Sequence, residues 1–258
     1  MRLALCQLRS ALGDKESNLE RMRLAVEETD ADLFLFPEMG VTGYMVRDRF
    51  MTLAEDIDGE SVSYLGELSD RTGKAMVFGM PLNDSEYPGL VTNSAVMVTP
   101  DGRVQRYDKM HPANFGPFEE GLYFKPGKIP EMFQFRGKGV GVCICYDIFF
   151  PEICKAYAMQ GADLLLCLSA SPMTSRSSFE RLIPARAVEN TYPVAYVNNV
   201  GAQLNMVFFG GSQAYDARGR LLGKLPYLRE AVAVVDIDSQ QTTVARRSRP
   251  TIRDTHLG

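Results

Sequence analysis

The 258-residue chain has no tryptophan, two histidines and five cysteines, and each scarcity removes a class of chemistry. His111 and His256 are too few for a zinc site without scattered help, and no Cys-x-x-Cys or His-x-x-x-His spacing occurs. No metal and no other cofactor is expected. A Cys–His dyad would have to use one of the same two residues, and His256 sits close to the C-terminus, where chains commonly fray. Cys6, Cys143, Cys145, Cys154 and Cys167 are odd in number and lie mostly in apolar segments, so free thiols are expected rather than a secreted disulfide framework. A Gly-x-x-x-x-Gly-Lys-Ser/Thr loop is missing, and Gly137-x-Gly139-x-Gly141 falls inside a strand pattern rather than at a strand-to-helix turn. No apolar run approaches the roughly 18 residues that cross a bilayer, and the first residues lack a secretory core, so a cytoplasmic protein with no membrane partner is expected. With 28 Lys+Arg against 32 Asp+Glu, the formal charge of −4 argues against a nucleic-acid partner, because phosphate contact needs clustered cations.

What the chain does hold is apolar: 45% of its residues are hydrophobic, enough for a large core. One domain over residues 1–258 is expected, since layered α/β proteins reach this length as single units. Short apolar runs bounded by turn residues predict strands at 2–8, 31–36, 74–80, 94–99, 140–144, 163–168, 194–198 and 231–236. Helix-period stretches at 15–28, 61–72 and 151–160 lie between them, with a further one at 177–190 interrupted at Pro184. Asp101-Gly102 and Arg218-Gly219 predict hairpins joining 94–99 to 104–107 and 211–215 to 221–224. Ala31-Asp32-Leu33-Phe34-Leu35 echoes Ala162-Asp163-Leu164-Leu165-Leu166, which suggests two β-rich layers related by a pseudo-twofold; buried strands simply looking alike is the other reading. The longest stretch without periodicity is 110–130, and a loop that long in a layered domain is more often functional than idle.

Three reactive side chains stand where predicted strands end: Glu38, Lys109 and Cys145. Ligands of layered α/β proteins bind at such carboxyl ends. Taken singly, each has a plainer reading: a capping carboxylate, a surface charge, and a small core thiol like its four fellows.

Their contexts change this. Phe36-Pro37-Glu38-Met39-Gly40-Val41-Thr42-Gly43-Tyr44, Tyr107-Asp108-Lys109-Met110-His111-Pro112 and Gly141-Val142-Cys143-Ile144-Cys145-Tyr146-Asp147-x-x-Phe150-Pro151-Glu152 resemble, in order and spacing, the three signature blocks of the nitrilase superfamily of carbon-nitrogen hydrolases. The likeness runs from the first strand to the basic stretch Arg246–Pro250. It implies a four-layer α-β-β-α sandwich and a Glu-Lys-Cys triad, with Cys145 as nucleophile, Glu38 as general base and acid, and Lys109 as stabiliser of the tetrahedral intermediate. It implies a second carboxylate as well, best matched by Glu120, with Glu119 the competing register. At least a homodimer is implied, with the Arg246–Arg253 stretch either packing on a partner or forming a solvated tail.

The physical demands agree. A thiol titrating near 8.5 needs an adjacent base or cation to attack at neutral pH. The expected reaction is hydrolysis of a small primary amide through a thioester, with the backbone N–H of Tyr146 sharing the oxyanion. Nitriles and N-carbamoyl compounds remain alternatives. The segments around Tyr196–Gln203, Val207–Ser212 and Leu168–Pro172 resemble the glutamine-hydrolysing domain of glutamine-dependent NAD synthetases, and the positions matching its substrate contacts are Tyr44, Phe118 and Ser171, more loosely Arg176. Phe115 stands where a tyrosine is usual, which weakens the case for amino-acid recognition. An ammonia-supplying subunit and a non-catalytic binding module complete the field.

Overall fold

The apolar runs become the strands of two six-stranded sheets in a computed structural model that describes residues 1–128 and 131–256. Ile129 and Pro130, at the end of the 110–130 stretch, lie outside the described residues. In chain order the first strands are β1 (Arg2–Gln7), β2 (Leu33–Leu35), β3 (Ala75–Asn83), β4 (Val91–Val98), β5 (Val104–Asp108) and β6 (Phe133–Phe135). They are followed by β7 (Lys138–Ile144), β8 (Leu164–Ser169), β9 (Val194–Asn198) and the hairpin β10 (Val200–Gln203) and β11 (Met206–Phe209). The last are β12 (Gln213–Tyr215), β13 (Leu221–Lys224) and β14 (Ala231–Asp236).

The two sheets have one topology written twice. Read from one edge they run β5-β4-β3-β2-β1-β14 and β13-β12-β9-β8-β7-β6. In each, three parallel strands (β1–β3, β7–β9) continue into an antiparallel meander, and one antiparallel strand closes the other edge. The echoing segments form β2 and β8, the middle strands of the two parallel triplets. The sheets stack so that β1 lies against β9, β4 against β7 and β14 against β13. At the far end, the side chain of Gln105 on β5 donates to Gln134 O on β6 (3.2 Å) and accepts from its backbone N–H (2.6 Å).

Helices cover the outer faces. α1 (Lys15–Glu28) and α3 (Glu60–Thr72) lie on the first sheet, with a short α2 (Phe50–Leu53) between them in sequence; α4 (Pro151–Met159) and α5 (Arg176–Asn190) lie on the second, and α6 (Ser239–Ser248) follows β14. Asp14 caps α1, accepting from Ser17 N at 3.0 Å, and Pro151 opens α4 with a preset φ. Alternate residues of the first sheet split between two cores. Leu3, Leu5, Leu33, Leu35 and Val77 face the second sheet, whereas Ala4, Phe34, Phe36, Met76 and Phe78 pack under Met22, Val26, Leu65 and Leu68 of the helices. Burial on both faces explains why the strands read as continuous apolar runs. The fold is thus the four-layer α-β-β-α arrangement.

One expectation needs correction. α5 is not interrupted at Pro184 but runs from Arg176 to Asn190 through it, because burying Phe179, Ile183 and Ala187 outweighs one missing backbone donor. The basic stretch begins inside a helix, α6, and Arg246 packs on its own chain, donating to Ala162 O at 2.6 Å.

Candidate active site

The three strand ends meet. Glu38 follows β2, Lys109 directly follows β5, and Cys145 directly follows β7; Glu38 is fully buried, Lys109 is 1% exposed and Cys145 6%. Lys109 Nζ donates to Glu38 Oε1 at 2.7 Å and to Glu120 Oε1 at 2.8 Å, so one ammonium bridges two carboxylates out of water. Glu120, in a 3-10 turn of the 110–128 segment, also accepts from Tyr44 OH (2.5 Å) and Ala113 N (2.9 Å). Glu119 is exposed and makes none of those bonds.

Each arm is held by its own strand. Glu38 Oε1 also accepts from Asn93 Nδ2 of β4 (2.8 Å), and its Oε2 accepts from Ala170 N beyond β8 (2.8 Å). The chain carrying Glu38 rests on Gly79 of β3, where an added Cβ would stand 2.6 Å from Met39 N and 2.8 Å from Glu38 Cα. Asp108, one residue before Lys109, accepts from Thr92 (3.1 Å), Ser94 (2.6 Å) and Arg106 (2.7 Å) and so pins the end of β5.

Cys145 itself has φ +49°, a left-handed conformation unusual for a side chain with a Cβ, at the start of a 3-10 turn Cys145–Phe149. The buried carboxylate of Asp147 holds this elbow. Its Oδ2 accepts from Ile144 N (3.1 Å) and Tyr107 OH (2.8 Å), and its Oδ1 from His111 N (2.9 Å) with His111 Nδ1 at 3.1 Å. Two hydroxyls lie beside the thiol: Ser171 Oγ is 3.5 Å from Cys145 Sγ and 2.5 Å from Ser169 Oγ. Asn198 fixes Ser171 through both of its backbone groups, at 2.7 and 3.1 Å.

Electrostatics set the protonation states. Burial works to lower the Lys109 pKa, but the charges of Glu120 and Glu38 outweigh it and hold the ammonium well above the usual lysine range. Burial raises Glu120, against the pull of Lys109. Burial and then the Glu38 charge push the Cys145 thiol up, with Lys109 opposing, so the resting side chain is a protonated thiol.

A cavity of about 350 Å³ opens onto Cys145, Tyr146 and Ser171, with Phe115, Phe118 and Phe149 among its walls. Tyr44 stands behind it, edge-on to Phe118 and to Phe208 of β11, while its N–H is fixed by Gln203 Oε1 at 3.0 Å. Arg176 is not brought to the cavity. Its guanidinium lies over the Tyr227 ring, 5.0 Å from the centroid. Asp147, Asn93, Ser169 and Asn198 escaped the reading of the sequence. A polar Thr-Asn-Ser run inside an otherwise apolar strand was the available signal for Asn93; Ser169 and Asn198 stand inside segments already singled out, but no local pattern gives either a role before the sheets are stacked. Among the described residues no cluster of His, Cys, Asp and Glu is arranged to hold a metal ion, and no helix is long and apolar enough to cross a membrane. All five cysteines are free and buried.

A family model described as carbon-nitrogen hydrolase matches residues 2–247. The chain belongs to the carbon-nitrogen hydrolase family. An (R)-stereoselective amidase from a Pseudomonas species is 33% identical over all of this chain and 92% of its own length. The glutamine-dependent NAD(+) synthetase of Thermotoga maritima is 32% identical over 92% of this chain, which spans only 42% of that protein. A nitrilase-superfamily amidase from Nesterenkonia, solved as an active-site variant, superposes with a TM-score of 0.82 at 31% identity, over 97% of this chain and 95% of that one. Other variants of that amidase carry acrylamide added at the active-site cysteine, or the acetamide moiety of fluoroacetamide. The carbon-nitrogen hydrolase is therefore an enzyme acting on non-peptide C–N bonds.

Proposed function

We propose that this hydrolase converts a small primary amide to a carboxylic acid and ammonia through a Cys145 thioester. The observation that carries the reading is the buried Glu38–Lys109–Glu120 cluster acting on a protonated thiol at the mouth of a cavity. A thiol in that state cannot attack unaided, so the base has to be built in. Glu38 takes the thiol proton as sulfur bonds to the amide carbon. The negative oxygen that forms is met by the Lys109 ammonium and by the N–H of Tyr146, which a helical first turn leaves without an internal partner. Glu38 then returns the proton to the departing nitrogen, the C–N bond breaks and ammonia leaves. Water enters, Glu38 removes its proton, and cleavage of the thioester restores the thiol and releases the acid. Glu120 keeps Lys109 charged and in place, with Tyr44 fixing Glu120. Two small amides, acrylamide and fluoroacetamide, reach and alkylate the active-site cysteine of the Nesterenkonia amidase, which supports an amide as the occupant of such a site.

The test is ammonia release over a panel of amides, nitriles and N-carbamoyl compounds. Cys145→Ala is expected to lose all turnover while its circular dichroism and thermal midpoint stay within a few degrees of the parent. Activity in that variant would overturn the mechanism, and activity confined to nitriles or carbamoyl compounds would overturn the substrate class.

A further inference from the structure

Beyond Cys145 the cavity is walled by a chain of rings. Phe115 meets Phe118 at 5.3 Å and Tyr146 at 4.8 Å, Tyr146 meets Phe149 at 5.4 Å, and Phe149 meets Phe179 at 5.3 Å, in tilted or edge-on geometries. The polar groups of the lining away from the thiol are hydroxyls, of Thr174, Ser175 and Ser178. Among the described residues lining the cavity there is no Asp, Glu, Lys or Arg. Of the charges in the neighbourhood, Glu38, Lys109 and Glu120 pair with one another behind the thiol, Arg176 covers Tyr227, and Arg47 and Glu119 line a small cleft with Tyr44 and Phe118 rather than the cavity itself.

We infer that the amide taken by this site is carried by an uncharged, apolar group, best an aryl ring on a short arm, and that an amino-acid head is refused. The inference rests on the amide reading above. An ammonium and a carboxylate entering these walls would lose their hydration with no opposite charge to replace it, whereas a ring finds edge-on partners on several sides. A volume of about 350 Å³ accommodates a ring and its arm, at the lower end of small-molecule sites. The site therefore fits an amidase that works on its own better than a glutaminase supplying ammonia to a synthetase.

Affinity separates the two occupants without any chemistry. Phenylpropanamide and L-glutamine share the carboxamide and a two-carbon arm and differ in what the arm carries. Titration calorimetry on Cys145→Ala, with Cys145→Ser as a second inert protein, is expected to give phenylpropanamide at least tenfold tighter binding. A smaller preference, a reversed one, or no measurable binding of phenylpropanamide overturns the inference. Because the readout is binding, its failure is distinct from failure of the amide reading, which is decided by ammonia release from the active enzyme.

Discussion

Two residues of the cluster carry opposite burdens. Lys109 is the only cation touching Glu38 and Glu120 among the described residues, and its loss would leave buried carboxylates unpaired. Removing one partner of such a pair typically costs about 3–5 kcal/mol, so Lys109→Met is expected to lower the thermal midpoint as well as abolish turnover. The pH dependence has a definite sign. The folded pKa of Lys109 is raised, so its contribution is complete below the ordinary lysine value of 10.5 and is lost only as pH climbs through the higher folded value. The midpoint gap between parent and Lys109→Met should therefore persist or widen through neutral pH, as the unpaired buried carboxylates of the variant ionise, and begin to close only above 10.5; a gap closing near neutrality would contradict the buried ion pair. In the proposed mechanism Asp147 acts on Cys145 at one remove, as a positioning residue. In Asp147→Asn an amide N–H₂ must face donors that a carboxylate accepted, either the pair from Ile144 and Tyr107 or the pair from His111. A stability loss of roughly 1–3 kcal/mol is expected, with kcat falling far more than KM rises; steady-state kinetics beside thermal melts check it. Glu38, Lys109 and Cys145 were legible because each sits in a specific run of neighbours. Asp147 was printed in the same run, yet its four donors come from β5, the 110–128 segment and the end of β7, and only folding brings those together.

At the scale of elements, short strands ending in loaded turns do the positioning. β2 has three residues, and what aims Glu38 after it is the close seat on Gly79 of β3. Gly79→Ala should push that seat apart: an overpacking cost of about 1–3 kcal/mol and a clear drop in kcat are expected, measured together by denaturant melts and kinetics, and an alanine variant with full activity would show that Gly79 does not aim Glu38. Most elements were readable within a residue or two, since burial on both sheet faces leaves continuous apolar runs flanked by turns. The misses have separate physical causes. β6 is three residues long and shows no usable period. The β10–β11 hairpin turns at Leu204, whose φ of +50° is adopted without the glycine that usually marks such a turn. α6 buries little beyond Thr242 and Ala245, so its apolar stripe is too thin to see.

Across the whole molecule the duplicated topology matters more than any single element. Glu38 and Lys109 come from the first repeat, Cys145 and Ser171 from the second, and the Ala170–Glu38 bond ties the ends of the equivalent strands β8 and β2 together. The scaffold is repeated but the chemistry is not. Separating the chain in the segment between β5 and β6 is therefore expected to give two halves with no activity alone, and co-expression should restore ammonia release; an active single half would refute the shared site. The echo between the two Ala-Asp-Leu segments was visible in sequence, but its meaning depended on strand order, which no local pattern encodes.

One pairing also orders events in time. β14 lies antiparallel on β1, with Arg2 opposite Asp236. As a ribosome delivers the chain, β1 emerges before β2 and can find it early, yet its other edge stays bare until β14, which follows every other strand in chain order. Contacts this distant in sequence slow folding. From β1 until β14 is made, the nascent protein thus carries an open strand edge that invites a wrong neighbour, so its dependence on chaperones during production should track β1 rather than the catalytic loops.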